Sequence, residues 1–216
     1  MIKYVINLER SSDRWEYYKE NKEYIRWNAT DYKELNDDEV IFNKMISYYN
    51  INPIEHKAKC ACFLSHIRLW KHIIDNDLKD VLILEDDADE ILNYDIQEEL
   101  LPKDAFTYFG GYFYNIKMTD GEYKDIINYK SGINKIDKTK FRILMNMAYY
   151  IPNKTVASIM YNHIMKMKRY RAIDTLMYHI PCDQYYILPA KYIERNILST
   201  IRKKKKKHPN ELYRLT

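Results

Sequence analysis

The segment Val81-Leu82-Ile83-Leu84-Glu85-Asp86-Asp87-Ala88 runs four apolar residues straight into three consecutive carboxylates. A short continuous apolar run predicts a central strand covered on both faces, and acids at its carboxyl end lie where open α/β sheets form ligand crevices. Three adjacent carboxylates repel one another and resist desolvation unless a cation compensates them. Hard oxygen donors favour Mg²⁺ or Mn²⁺, and such a metal, held by few protein ligands, keeps positions open for substrate phosphates. The chemistry to expect is metal-assisted handling of a diphosphate. A solvated acidic turn is the competing reading of these three residues alone, so the surrounding elements must decide.

Residues 3–8 predict a first strand with Asn7 at its carboxyl end, and Ser11-Ser12-Asp13 form an N-cap cluster for a helix expected to run to about Trp27. Trp15, Tyr18 and Ile25 fall near one face of that helix, while Arg10 and Arg14 cluster with Asp13 at its amino end. Two arginines beside a helix amino terminus, directly after a strand, suit a phosphate or the polar edge of a nucleotide, although ordinary surface charge explains them equally when taken alone. Residues 31–56 are polar and broken by Pro53, which predicts a loop with one short helix at 38–49. From 59 to 76 the pattern is helical, with Phe63, Ile67, Trp70 and Ile74 on one stripe. Ser65 and His66 lie within it, and by periodicity alone His66 reads as a satisfied core residue.

Beyond the acidic strand come a helix expected at 95–101, Pro102 as a breaker, and a strand at 105–109 stopped by Gly110-Gly111. Residues 112–140 read as a long surface excursion over the site. A strand at 145–151, a helix capped by Asn153, a short helix at 172–179 with Asp174 near its start, and a strand at 185–188 complete the pattern. Strands alternating with helices predict an α/β chain built on an open, mainly parallel sheet flanked by helices.

At 216 residues the chain has room for one sizeable core, expected over 1–200, followed by a basic tail over 201–216. The composition, 46% hydrophobic and 31% charged, is that of an ordinary globular protein. The net charge of +4 comes from the lysine-rich block at 202–207, without which the remainder is near −2. Neither interleaved aromatics nor a second basic stripe accompanies the block, so no nucleic acid is expected. A solvated tail or peripheral contact with an anionic membrane surface accounts for it better. Cys60, Cys62 and Cys182 lack the paired spacing of a structural zinc site and suit a reducing compartment. Without a long apolar segment or a signal-peptide pattern, a cytoplasmic location is the expectation.

Three segments together resemble glycosyltransferase family 25, the group containing lipooligosaccharide and collagen galactosyltransferases. They are Tyr4-Val5-Ile6-Asn7-Leu8 with Arg10, Asp13 and Arg14; Cys62-Phe63-Leu64-Ser65-His66 with Arg68-Leu69-Trp70; and Leu82-Ile83-Leu84-Glu85-Asp86-Asp87. Weaker matches continue through Phe109-Gly110, Ala148-Tyr149 and Ile173-Asp174. Where family members carry Gly-Glu-x-Gly before the cysteine of the second segment, this chain has Ala58-Lys59-Cys60-Ala61, which points to an altered acceptor. The resemblance implies a GT-A fold with a Rossmann-like sheet, and inverting transfer of galactose or glucose from a UDP-sugar donor to a glycan or protein hydroxyl. It further implies Asp87 as a ligand of Mn²⁺ or Mg²⁺. Glu85 and Asp86 would face the ribose or nucleotide; Asn7, Leu8, Arg10, Arg14, Ser65 and His66 would line the donor pocket. Asp174 would be the base. Apart from the resemblance, His179 is a candidate second metal ligand, since imidazole suits Mn²⁺ better than Mg²⁺. The rivals to this reading are an inactive nucleotide-sugar-binding module and, less favoured, a nucleic-acid-associated protein acting through its tail.

Overall fold

The structure, a computed structural model, describes residues 1–35, 44–45, 53–90, 96–115 and 131–195. Strands β1 (Ile2–Asn7), β2 (Tyr24–Asn28) and β3 (Val81–Glu85) form a parallel trio with β1 in the middle. The sheet continues from β3 through β7 (Phe141–Ile151), β5 (Phe106–Asn115) and β8 (Gln184–Leu188) to β6 (Gly132–Lys135), while β4 (Ala88–Glu90) pairs with β9 (Tyr192–Glu194) beside β5. Of the nine strands among the described residues, six, β1, β2, β3, β5, β8 and β9, run the same way. The sheet is thus largely parallel and Rossmann-like, with β7 inserted antiparallel between β3 and β5.

Helices cover both faces. Tyr4, Ile6, Val81 and Ile83 pack with residues of α2 (Pro53–Asp75), α3 (Lys154–Met165) and α4 (Ile173–Met177). Val5, Leu82 and Leu84 turn to the opposite face, where Tyr18 of α1 (Ser12–Lys19) seals a second apolar cluster. Period-two alternation into two covered faces is why β3 is apolar from Val81 to Leu84.

Several boundaries differ from the sequence expectation. Helix α1 ends at Lys19: the Asn21 side chain accepts the Glu23 backbone N–H at 3.0 Å, and Tyr24 N–H donates to Asn21 O at 3.1 Å. That turn releases the aromatic-rich Tyr24–Asn28 segment into β2. Helix α2 starts at Pro53, because a proline's missing N–H costs nothing in a first turn. The helix expected at 38–49 lies outside the described residues apart from Lys44 and Met45, and so does the basic block at 202–207. A single 3-10 turn, Glu98–Leu100, occupies the described part of 95–101. The strand expected to stop at Gly110-Gly111 runs on to Asn115, and β6 stands within the expected excursion at 112–140.

The glycine pair permits this continuation. Gly110 lies against β9 so closely that an added Cβ would sit 2.5 Å from the Tyr192 carbonyl oxygen, and Gly111 has φ +130°. Register between β5 and β7 shifts on both sides of Gly110, and Met145 opposite has φ +55°. Gly110→Ala is expected to lower stability by about 1–3 kcal/mol, since backbone and not a flexible side chain must yield. Urea unfolding measures this; an unchanged midpoint would show that β9 does not pack against Gly110.

Candidate active site at the acidic strand end

The carboxyl ends of β1 and β3 lie side by side, with Ile6 opposite Glu85. Asp86, at the first turn position after β3, is held there by both oxygens. Asn7 Nδ2 donates to its Oδ2 and Arg14 Nη1 to its Oδ1, each at 2.7 Å. Asn7 is held in turn: its Oδ1 accepts from Arg26 Nε at 2.9 Å, and its Nδ2 also donates to Ser11 O at 3.1 Å. Arg26 continues to the carbonyls of Leu8 and Glu9, both at 3.1 Å. The turn backbone is fixed from two further directions, by the Tyr18 hydroxyl donating to Ala88 O and by Arg195, whose guanidinium donates to Asp86 O and whose N–H donates to Asp87 O at 2.6 Å.

With Asp86 pinned toward α1, Glu85 and Asp87 carry the electrostatic load. Burial raises the Glu85 pKa to about 8, assisted by the negative charges of Asp174, Asp86 and Glu194. Burial likewise raises Asp87 to about 8, with Glu85, Asp86 and Glu194 adding repulsion, and Arg14 opposes both shifts. Asp87 Oδ1 is buried and makes no hydrogen bond. A buried carboxylate oxygen without a donor, among other acids, is a seat whose chemistry fits a hard divalent cation.

Asp174 joins this cluster from α4. Its Oδ2 accepts the Met145 N–H at 3.2 Å and its Oδ1 the Thr175 N–H at 2.7 Å, so the left-handed turn at Met145 helps orient it. Its charge is the largest electrostatic contribution acting on Glu85 after burial. His66 reaches the cluster from α2, its Nε2 3.5 Å from Glu85 Oε1 but forming no hydrogen bond. Its Nδ1 lies 2.7 Å from the Tyr149 hydroxyl, which also accepts from Trp70 Nε1 at 2.8 Å. Burial lowers the imidazole pKa to about 4, which leaves the ring neutral at pH 7.

Other residues singled out in the sequence have different surroundings. Ser65 Oγ donates to Ala61 O at 2.8 Å and accepts the Thr30 N–H at 2.9 Å, stapling α2 to the chain after β2. Arg10 pairs with Asp31 at 2.5 Å and lies over Tyr32. Burial lowers the His179 pKa, and the neighbouring charges of Arg171, Lys138 and Arg142 act in the same direction. The charges that act on His179 are thus cationic, unlike the acids that act on Asp87. Conversely, Arg195, Glu194 and Cys62 were not expected here. Strand β9 is only three residues long and shows no periodicity, whereas the four-residue spacing of Cys62 and His66 on one helix was a readable signal.

A model of glycosyltransferase family 25, described as an LPS biosynthesis protein, matches residues 1–191. A protein named Glycosyltransferase 25 family member from Drosophila pseudoobscura pseudoobscura is 38% identical over 95 residues, 39% of this chain and 15% of that protein. Procollagen galactosyltransferase 2 from Mus musculus is 32% identical over 96 residues, with the same shares, and its Homo sapiens counterpart matches equally. The matched stretch therefore spans 15% of the length of each of these curated relatives.

The raised carboxylates have a signed consequence. In the unfolded chain Glu and Asp release their protons near pH 4, whereas folded Glu85 and Asp87 hold theirs to about 8. The folded state then binds more protons, so stability falls as pH rises through that window. His66 has the opposite sign, but its contribution is complete by about pH 6.5, the ordinary histidine pKa. In the presence of EDTA the melting temperature should fall between pH 6.5 and 8, and Asp87→Asn should flatten the decline. A flat profile in the unaltered chain would refute the crowded, uncompensated state of these half-buried acids.

Proposed function

The chain belongs to glycosyltransferase family 25, and on that premise we propose that it transfers a hexose, galactose or glucose, from a UDP-sugar to a hydroxyl of a glycan or protein acceptor, inverting the anomeric carbon. The observation that carries this reading is the convergence of Glu85, Asp87, Asp174 and Glu194 around an Asp86 already bound by Asn7 and Arg14. The acids stand at the carboxyl ends of parallel strands, the end at which open α/β sheets generally bind ligands. We read the sheet as the nucleotide-binding half of a GT-A fold.

In this reading Asp87, with its undonated Oδ1, would hold Mn²⁺ or Mg²⁺, and Glu85 would face the nucleotide. A divalent ion bound there supplies charge neutralisation for the departing diphosphate. Asp86 positions the turn, since Asn7 and Arg14 occupy both its oxygens. Asp174, oriented by Met145 and Thr175, accepts the acceptor hydroxyl's proton. The freed oxygen bonds to the anomeric carbon as the carbon–diphosphate bond breaks and UDP departs.

Thermal-shift titration with UDP, GDP, CDP and UDP-sugars, with and without Mn²⁺, tests the donor assignment. One nucleotide series should raise the melting temperature in a metal-dependent way, because a ligand that binds only the folded state stabilises it by mass action. Asp87→Asn should abolish that dependence; a metal response equal to that of the unaltered chain would defeat the Asp87 assignment. Asp174→Asn should retain donor binding and lose transfer by about 10²-fold or more, the usual contribution of a general base. Retained transfer would remove Asp174 from the reaction, and UDP binding without turnover in the unaltered chain would favour an inactive module.

A further inference from the structure

We propose that Cys62, His66 and Glu85 form a site for a cation of the Zn²⁺ class, built from donors other than the Asp87 carboxylate. Cys62 and His66 stand four residues apart on α2 and so share one helix face, while Glu85 ends β3 directly opposite. One donor atom from each, a thiol sulfur, a ring nitrogen and a carboxylate oxygen, lies within 4.8 Å of the others. A tetrahedral zinc site with bonds of about 2.0–2.3 Å has donor-to-donor edges of roughly 3.3–3.8 Å. The separation of His66 Nε2 and Glu85 Oε1, 3.5 Å, already matches such an edge.

A second observation points to a ligand independently of this spacing. His66 is 0% exposed, and its Nε2 is aimed at the cluster without any hydrogen bond. Its other ring nitrogen contacts the Tyr149 hydroxyl at 2.7 Å, the outer support characteristic of a ligating imidazole. The hydroxyl is a rotor: with one lone pair taken by Trp70, it has a second for the Nδ1 proton when Nε2 turns its own lone pair to a metal. One thiolate, one imidazole and one carboxylate suit Zn²⁺ far better than Mg²⁺, and three protein ligands leave the fourth position to water or an incoming ligand.

The test uses the full chain, metal-free and reduced, with Zn²⁺ binding measured by competition against a chromophoric chelator and with Co²⁺ as a spectroscopic substitute. One equivalent should bind, and the Co²⁺ form should show thiolate-to-metal charge-transfer absorption. Cys62→Ser should abolish that absorption, whereas Cys60→Ser and Cys182→Ser should keep it. Zn²⁺ affinity should fall at least about tenfold in Cys62→Ser and in Glu85→Gln, and hold in Asp87→Asn. The metal-free melting temperature of Cys62→Ser, equal to that of the unaltered chain, certifies folding; Glu85→Gln gives a second reading from a different element. Unchanged affinity in both variants, a Co²⁺ form without thiolate absorption, or binding lost in Asp87→Asn would overturn the proposal. No nucleotide enters the measurement, so its outcome is separate from that of the transferase reading.

Discussion

Asp86 is a buried carboxylate whose partners arrive from different segments of the chain: Asn7 from β1, Arg14 from α1, and Arg195, at the exit of β9, on its backbone oxygen. Buried ion pairs often contribute little net stability, because both charges must leave water, but removing one partner of such a pair is costly. The contacts around Asp86 therefore fix position more than they add stability. Once Asp86 faces α1, the alternation of β3 sends Glu85 toward α2 and His66, and the tight turn leaves Asp87 half-buried, with a buried oxygen that no donor reaches. The charge stress at Glu85 and Asp87 follows from that single fixed residue.

The same constraint orders the elements around it. Asn7 reaches Asp86 because β1 and β3 are parallel and in register at their carboxyl ends, so a one-residue slip would send its side chain to the other face. Strand β7 runs the other way, which brings its early residues rather than its late ones to the acidic end. There the register shift and the left-handed Met145 aim a backbone N–H at Asp174. The site is thus assembled from strand ends, with the irregular part of β7 serving to hold an acid contributed by α4.

The sheet centre and the acidic triplet were legible in the sequence for a physical reason. Strand β3 is covered on both faces and is apolar from Val81 to Leu84, so an abrupt change to three acids announces both the strand and the turn that ends it. What was not legible depends on tertiary contact. Strand β2 was hidden in a helical reading because Tyr24, Ile25 and Trp27 satisfy either period until the Asn21 turn is known. Gly110-Gly111 resemble a strand terminator, yet they keep the strand going by admitting β9 at a distance no side chain tolerates. Arg195 follows a strand too short to carry a pattern, and its importance comes from the carbonyls it meets.

Asp174 and His179 were both assigned to the site from one short predicted helix, and their divergence shows how local charge decides such assignments. Helix α4 spans Ile173–Met177, so Asp174 belongs to its first turn and His179 lies beyond its end. The first turn is tied to Met145 and enters the field of Glu85, where a negative charge raises the pKa of its neighbour. At the far end burial suppresses protonation of the His179 imidazole, and the charges of Arg171, Lys138 and Arg142 add to it. The sequence reading made Asp174 a base and His179 a metal ligand; the direction of the field separates the two. At the acidic end the acids outnumber their compensating arginines, and His66, which enters that end from α2 with no hydrogen bond at Nε2, is the imidazole that faces them.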